Sequence, residues 1–144
     1  MKIGFAVNNL KASQLAFSLL SSKHPLYIFT KEISTPCIIN TQFTTCWFDM
    51  YSYDGIMVAT DMESAKFILN LPNNQCFFYI WYLEWLRAGK EKDYIKNLEV
   101  LQNSNLKLIA RSPSHANIIE NYTNREVAFC MEDANVEVIK KYYE

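Results

Sequence analysis

The stretch Gly55-Ile56-Met57-Val58-Ala59-Thr60-Asp61, continuing into Met62-Glu63-Ser64-Ala65-Lys66-Phe67-Ile68-Leu69, decides the fold. Residues 56–59 are apolar without alternation, as in a strand covered on both faces. Asp61 then offers a side-chain oxygen to cap a helix. Glu63 adds a negative charge to the first turn, where it meets the positive end of the helix dipole. A strand that passes straight into a helix is the repeating unit of a parallel sheet, because parallel neighbours need a crossover.

Toward the C-terminus the unit recurs. Pro72-Asn73-Asn74 stops the helix, and Cys76-Phe77-Phe78-Tyr79-Ile80-Trp81 reads as the next strand. Tyr82 to Arg87 turns away, and Ala88-Gly89-Lys90 is a break. Glu91 to Asn103 carries Tyr94, Ile95, Leu98 and Leu101 at helical spacing. Leu106 to Ala110 is a strand, and Ser112 caps a helix that starts on Pro113 and turns Ala116, Ile119 and Tyr122 inward. Val127 to Met131 forms the last strand, with Asp133 capping a final helix through Val136, Val138 and Ile139.

Toward the N-terminus, Ile3 to Val7 is a buried first strand, Leu10 to Ser22 a helix, and Pro25 to Thr30 a second strand. Residues 31–54 resist the scheme. Pro36 and several Ser and Thr residues indicate a loop with a short strand at Cys37-Ile38-Ile39, and Phe43, Trp47, Phe48, Tyr51 and Tyr53 place aromatic mass on one or two helical turns. The expected architecture is one α/β domain over residues 1–144. It is a three-layer Rossmann-like sandwich with a mostly parallel sheet of five to seven strands.

Composition narrows the function. The chain has 144 residues, half of them hydrophobic and 15% aromatic, enough for a core in a single domain. The formal net charge is −1 and the basic residues are dispersed, which argues against a nucleic-acid partner. No run reaches the roughly 18 apolar residues of a membrane span, and nothing resembles a signal peptide. The expectation is a cytoplasmic protein with no membrane partner. Cys37, Cys46, Cys76 and Cys130 fit no zinc or redox spacing and read as reduced thiols, the last two in buried strands.

Several chemistries lack their motifs. With only Gly4, Gly55 and Gly89, the chain has no GxGxxG turn, no P-loop and no glycine-rich methyl-donor loop. No ligand cluster suggests a metal, and no GxSxG elbow occurs. Asn8-Asn9 stands where a phosphate-receiving domain carries acids. No cofactor and no metal are expected.

Ligands of an open parallel sheet bind beyond the carboxyl ends of its strands. That rim would carry Asn8, Asn9, Thr60, Asp61, Tyr82, Arg111 and Ser112 as substrate-binding candidates, with Glu84 and His115 as candidate catalytic bases. Other roles compete for the same residues. Asp61, Ser112 and Asp133 serve equally as helix caps, Arg111 as a partner of Glu132 or Asp133, and His115 as a solvent-facing residue of a first helical turn. Glu84, between Trp81 and Trp85, is either a carboxyl with a pKa raised by desolvation or the salt-bridge partner of Arg87.

The order of elements resembles the N-terminal domain of GT-B glycosyltransferases. The segments from Lys2 to Asn9, Phe78 to Arg87 and Leu106 to Asn121 carry the likeness, the last through the strand-to-helix step Leu108-Ile109-Ala110-Arg111-Ser112-Pro113-Ser114-His115-Ala116. The words Phe77 to Trp85 look similar to small glycosyltransferase-like proteins of large tailed bacteriophages, which would place the chain in a host cytoplasm. The resemblance implies an acceptor half-site for a sugar, a nucleotide or another polar acceptor, and a nucleotide-sugar or sugar ligand. GT-B enzymes bind the donor mainly through their C-terminal domain, so a protein partner or a homo-oligomer would complete the site. Two alternatives stand beside this. One is a non-catalytic phage accessory protein or interaction module using its aromatic surface. The other is a small enzyme working through Glu84 or His115.

Overall fold

A computed structural model of the chain describes residues 2–11, 13–32, 35–72, 75–81 and 91–144. One eight-stranded sheet organises them: β1 Ile3–Val7, β2 Tyr27–Thr30, β3 Cys37–Ile39, β4 Gln42–Cys46, β5 Ile56–Ala59, β6 Gln75–Tyr79, β7 Leu106–Ala110 and β8 Phe129–Cys130. The strand order is β3-β4-β2-β1-β5-β6-β7-β8, and every pairing is parallel except β3 with β4. The chain therefore winds outward from β1 in one direction, then returns to β1 and winds outward in the other. The helices are α1 Gln14–Leu20, α2 Met62–Ile68, α3 Glu91–Leu101, α4 Pro113–Thr123 and α5 Glu137–Tyr142, and a 3-10 segment spans Trp47–Ser52.

Alternation along the strands divides the core into two. Ile3, Phe5, Val7, Ile56, Val58, Phe77, Tyr79 and Ile109 share one face with Leu19 of α1 and Ile139 of α5. Ala6, Met57, Ala59, Phe78, Leu108 and Ala110 share the other with Met50 of the 3-10 segment, Ala65 and Ile68 of α2, Leu101 of α3 and Ile119 of α4. Both faces are covered, which is why β1 and β5 are apolar throughout.

Four expectations need correction. The sheet has eight strands, not five to seven, because Gln42-Phe43-Thr44-Thr45-Cys46 is a strand. Its composition hides it: Gln42, Thr44 and Thr45 are buried polar residues that find partners within the fold. Asp133 does not cap the last helix. It sits at φ 47°, followed by Ala134 at φ 53°, and α5 begins only at Glu137, whose backbone N–H donates to Asn135 Oδ1. Helix α1 starts at Gln14 behind a Ser13 cap rather than at Leu10. Cys130 is half-buried rather than buried, because β8 is a two-residue edge strand.

Two of the three glycines have packing roles away from the carboxyl edge. A Cβ on Gly55 would come within 2.7 Å of the Lys2 carbonyl oxygen, and one on Gly4 within 2.8 Å of the Phe29 ring.

Candidate functional site

Asp61 and Ser112 take the capping roles that the sequence offered them. The Asp61 carboxylate accepts from Ser64 N at 2.7 Å, and the Ser64 hydroxyl closes a capping box onto the N-cap backbone. Ser112 Oγ accepts from His115 N at 3.2 Å at the head of α4.

The carboxyl ends of β1 and β5, where the winding reverses, are knitted shut. Asn8 donates from Nδ2 to Glu63 Oε2 at 2.7 Å, and Lys31 pairs with the other oxygen of that carboxylate. The lysine's hydrogen bond, foremost, holds the Glu63 carboxyl below the usual range. Thr60 is buried and donates its hydroxyl to the Ala6 carbonyl at 2.9 Å. Trp47 donates from Nε1 to the carbonyls of Val7 and Phe29 at 2.8 and 3.2 Å. Asn9 is exposed, and its Oδ1 accepts from Lys11 N in a local turn. Asn8, Thr60 and Asp61 thus spend their polar atoms on the scaffold. Tyr82 and Glu84 lie outside the described residues.

A second grouping lies farther along the same edge. Arg111 and Ser112 follow β7, Glu132 and Asp133 follow β8, and with His115 they line a cavity of about 410 Å³. That is within the size range of small-molecule sites. Arg111 does not pair with either carboxylate among the described residues. Its guanidinium lies 4.0 Å from the centre of the Trp81 ring, stacked on a side chain that is itself buried. His115 is half-buried rather than solvent-facing, and its Nδ1 is closed off from solvent with no partner among the described residues. Burial, and secondarily Arg111, push its pKa down, so the imidazole is neutral at pH 7. Glu132 and Asp133 are exposed. Arginine donors, a serine hydroxyl and two carboxylates facing one volume can exchange hydrogen bonds with a ligand rich in hydroxyl or phosphoryl oxygens.

The structure therefore joins Arg111, Ser112 and His115 and separates them from Asn8, Asn9, Thr60 and Asp61. Between β1 and β7 stand three strand spacings, roughly 14 Å. Sequence reasoning placed Glu132 and Asp133 on the rim after the last strand but weighed them as a salt-bridge partner and a cap rather than as binding candidates, and it missed Trp81 as the platform under Arg111. A tryptophan ending one strand and an arginine ending its neighbour was the available signal.

A third feature is a groove of about 710 Å³ lined by Lys31, Cys46, Trp47, Phe48, Glu63, Lys66, Phe67 and Asn70. It lies between the 3-10 segment and α2. Among the described residues no group of His, Cys, Asp or Glu is placed to hold a metal ion, and no helix is long and apolar enough to cross a membrane. Comparison of the chain with protein-family models, with curated proteins and with solved structures finds no match.

Proposed function

We propose that this chain is a Rossmann-like binding domain that takes a sugar, a nucleotide or another polar acceptor between the carboxyl ends of β7 and β8, in the manner of the N-terminal domain of GT-B glycosyltransferases. The observation that carries the reading is the Arg111–Ser112–His115–Glu132–Asp133 cavity at the carboxyl edge of a parallel sheet. Counted from β1, the strand order supports the Rossmann-like part, since successive parallel strands are added first on one side and then on the other. In this reading Arg111 holds an anionic or carbonyl oxygen with its N–H edge while Trp81 fixes its plane. Glu132 and Asp133 accept ligand hydroxyls, and neutral His115 is available as a base. A donor sugar and its transfer chemistry would come from a second domain or subunit.

The test is thermal denaturation with a panel of nucleotide sugars, nucleotides and free sugars. A ligand at about 100 times its Kd stabilises the native state by roughly 2.7 kcal/mol. For a domain of this size that is a rise of about 5 to 10 °C. Arg111→Ala should erase the rise. No shift with any member of the panel would remove the proposal.

One observation favours a second reading, a non-catalytic interaction module. Ile38 is 73% exposed on β3, an edge strand whose outer side pairs with nothing among the described residues, and Phe43 beside it is partly exposed. Apolar edges of this kind invite strand pairing with another chain. A concentration-dependent oligomer that Ile38→Lys dissolves, together with an absent ligand shift, would support this reading over the first.

A further inference from the structure

The groove between the 3-10 segment and α2 exists because the helical layer is incomplete there. The sheet face beyond α2 is covered by the six residues Trp47–Ser52, in a 3-10 turn rather than a full helix. Trp47 and Phe67 meet at a centroid distance of 5.0 Å, and Tyr51 packs edge-on to Phe67 at 5.6 Å. Phe48 stands free, 79% exposed. The Trp47, Phe48 and Phe67 rings line a concavity whose volume is that of a small-molecule site rather than a flat patch.

Its charge is not balanced. Lys31 is held by Glu63 and lies 4.9 Å from the Trp47 ring centre, so that cation is already matched. Lys66 is exposed on α2 and makes no ion pair among the described residues. Asn70, one turn on, donates from Nδ2 to the Lys66 carbonyl, and its side-chain oxygen meets no donor among the described residues. The walls are thus aromatic, and among the described lining residues two lysines face one carboxylate, Glu63, which is bonded to Lys31 and feels Lys66 only through space.

We infer that this groove binds a small amphipathic anion, an aromatic ring carrying a carboxylate, sulfonate or phosphate, with the ring against Phe48 and Phe67 and the anion on Lys66. The site is independent of the Arg111 cavity. The two share no lining residue among the described residues: the groove draws on the ends of β2 and β4 and on α2, the cavity on the ends of β7 and β8 and the head of α4.

Two fluorescent probes of similar shape test it: anionic 1-anilinonaphthalene-8-sulfonate and neutral N-phenyl-1-naphthylamine. Each should bind the folded chain saturably at one per chain. Lys66→Glu should weaken the sulfonate about tenfold, by exchanging attraction for repulsion, and leave the neutral probe within about twofold. Phe48→Ser should weaken both. Both residues are exposed, so both variants should keep the melting temperature of the parent. Bound sulfonate should also slow alkylation of Cys46, which lines the groove, but not of the exposed Cys37 outside it. Unchanged sulfonate affinity in either variant would overturn the inference. So would equal loss of both probes in Lys66→Glu, or slowed labelling of both cysteines through closure of a dimer over this face.

Discussion

The Arg111 guanidinium lies 4.0 Å from the ring centre of Trp81, and through that stack the end of β7 is tied to the segment that follows β6. A cation over an indole with little water around it is worth about 1 to 2 kcal/mol. The same contact holds a five-donor group at the edge of the cavity, so under the proposed function one side chain would serve both the scaffold and the ligand.

Arg111→Lys separates the two roles. The ammonium keeps a charge but loses the flat stack and the fork of donors. The expected outcome is a stability loss of about 1 kcal/mol by urea denaturation, with at least tenfold weaker binding of any ligand that shifts the parent protein. Parent-like binding in this variant would show that the guanidinium geometry plays no part.

His115 should make stability depend on pH. Its folded pKa lies below the usual value of about 6.5, with burial as the first cause and Arg111 as the second. Between those two values the unfolded chain binds more protons than the folded one, so stability is fully present above about pH 6.5 and is lost as pH falls through the folded pKa. The melting temperature should drop on going from pH 7 to pH 5, and His115→Gln should remove part of that drop. An NMR titration placing the His115 midpoint above 6.5 would contradict the assignment.

Arg125 holds the C-terminal end of α3. It donates from Nη1 to the carbonyls of Leu101 and Asn103 at 2.6 and 3.0 Å, and from Nη2 to that of Leu106 at 2.8 Å. Arg125→Met keeps the stem but strips these acceptors of a charged donor, at a cost of about 2 to 3 kcal/mol. The melting temperature should fall by about 5 to 10 °C. Arg125→Lys should recover only part of it, since one ammonium cannot span three carbonyls on two sides of a turn.

Gln42 is fully buried and ties β4 to the loop between α1 and β2 at three points. Its Oε1 accepts from Leu26 N, and its Nε2 donates to the carbonyls of Ser22 and His24 at 3.0 and 3.2 Å. In Gln42→Glu a carboxylate would face two carbonyl oxygens with no hydrogen to offer. Burial and those acceptors should raise its folded pKa above the unfolded value. The variant should therefore be destabilised at pH 7 and regain stability as pH falls toward 5, when the protonated acid can donate again. A pH response like that of the parent would show that the amide's donors are dispensable.

The parallel sheet was legible in the sequence because its signals are local. Residues 56–59 are apolar without alternation, and Asp61 and Ser112 cap the next helices through bonds spanning only three residues. Strand β4 was not legible. Gln42, Thr44 and Thr45 look like loop residues until the segments that satisfy them, near Ser22 to Leu26 and at Cys37 and Asp49, are brought alongside. Asp133 misled for a related reason: its type suits a cap, but the backbone there enters the left-handed region and α5 starts four residues later.

The sequence by itself determined which residues would stand at the carboxyl edge, since strand direction follows from the alternation of strands and helices. Only the tertiary structure decided which of them meet. Whether a polar side chain at that edge is free depends on neighbours distant in the chain: Glu63 occupies Asn8 across 55 positions and Ala6 occupies Thr60 across 54, while Trp81 supports Arg111 and leaves its donors facing the cavity. Local bonding preferences are written residue by residue, but competition for a hydrogen bond is settled by whatever the fold brings within 3 Å.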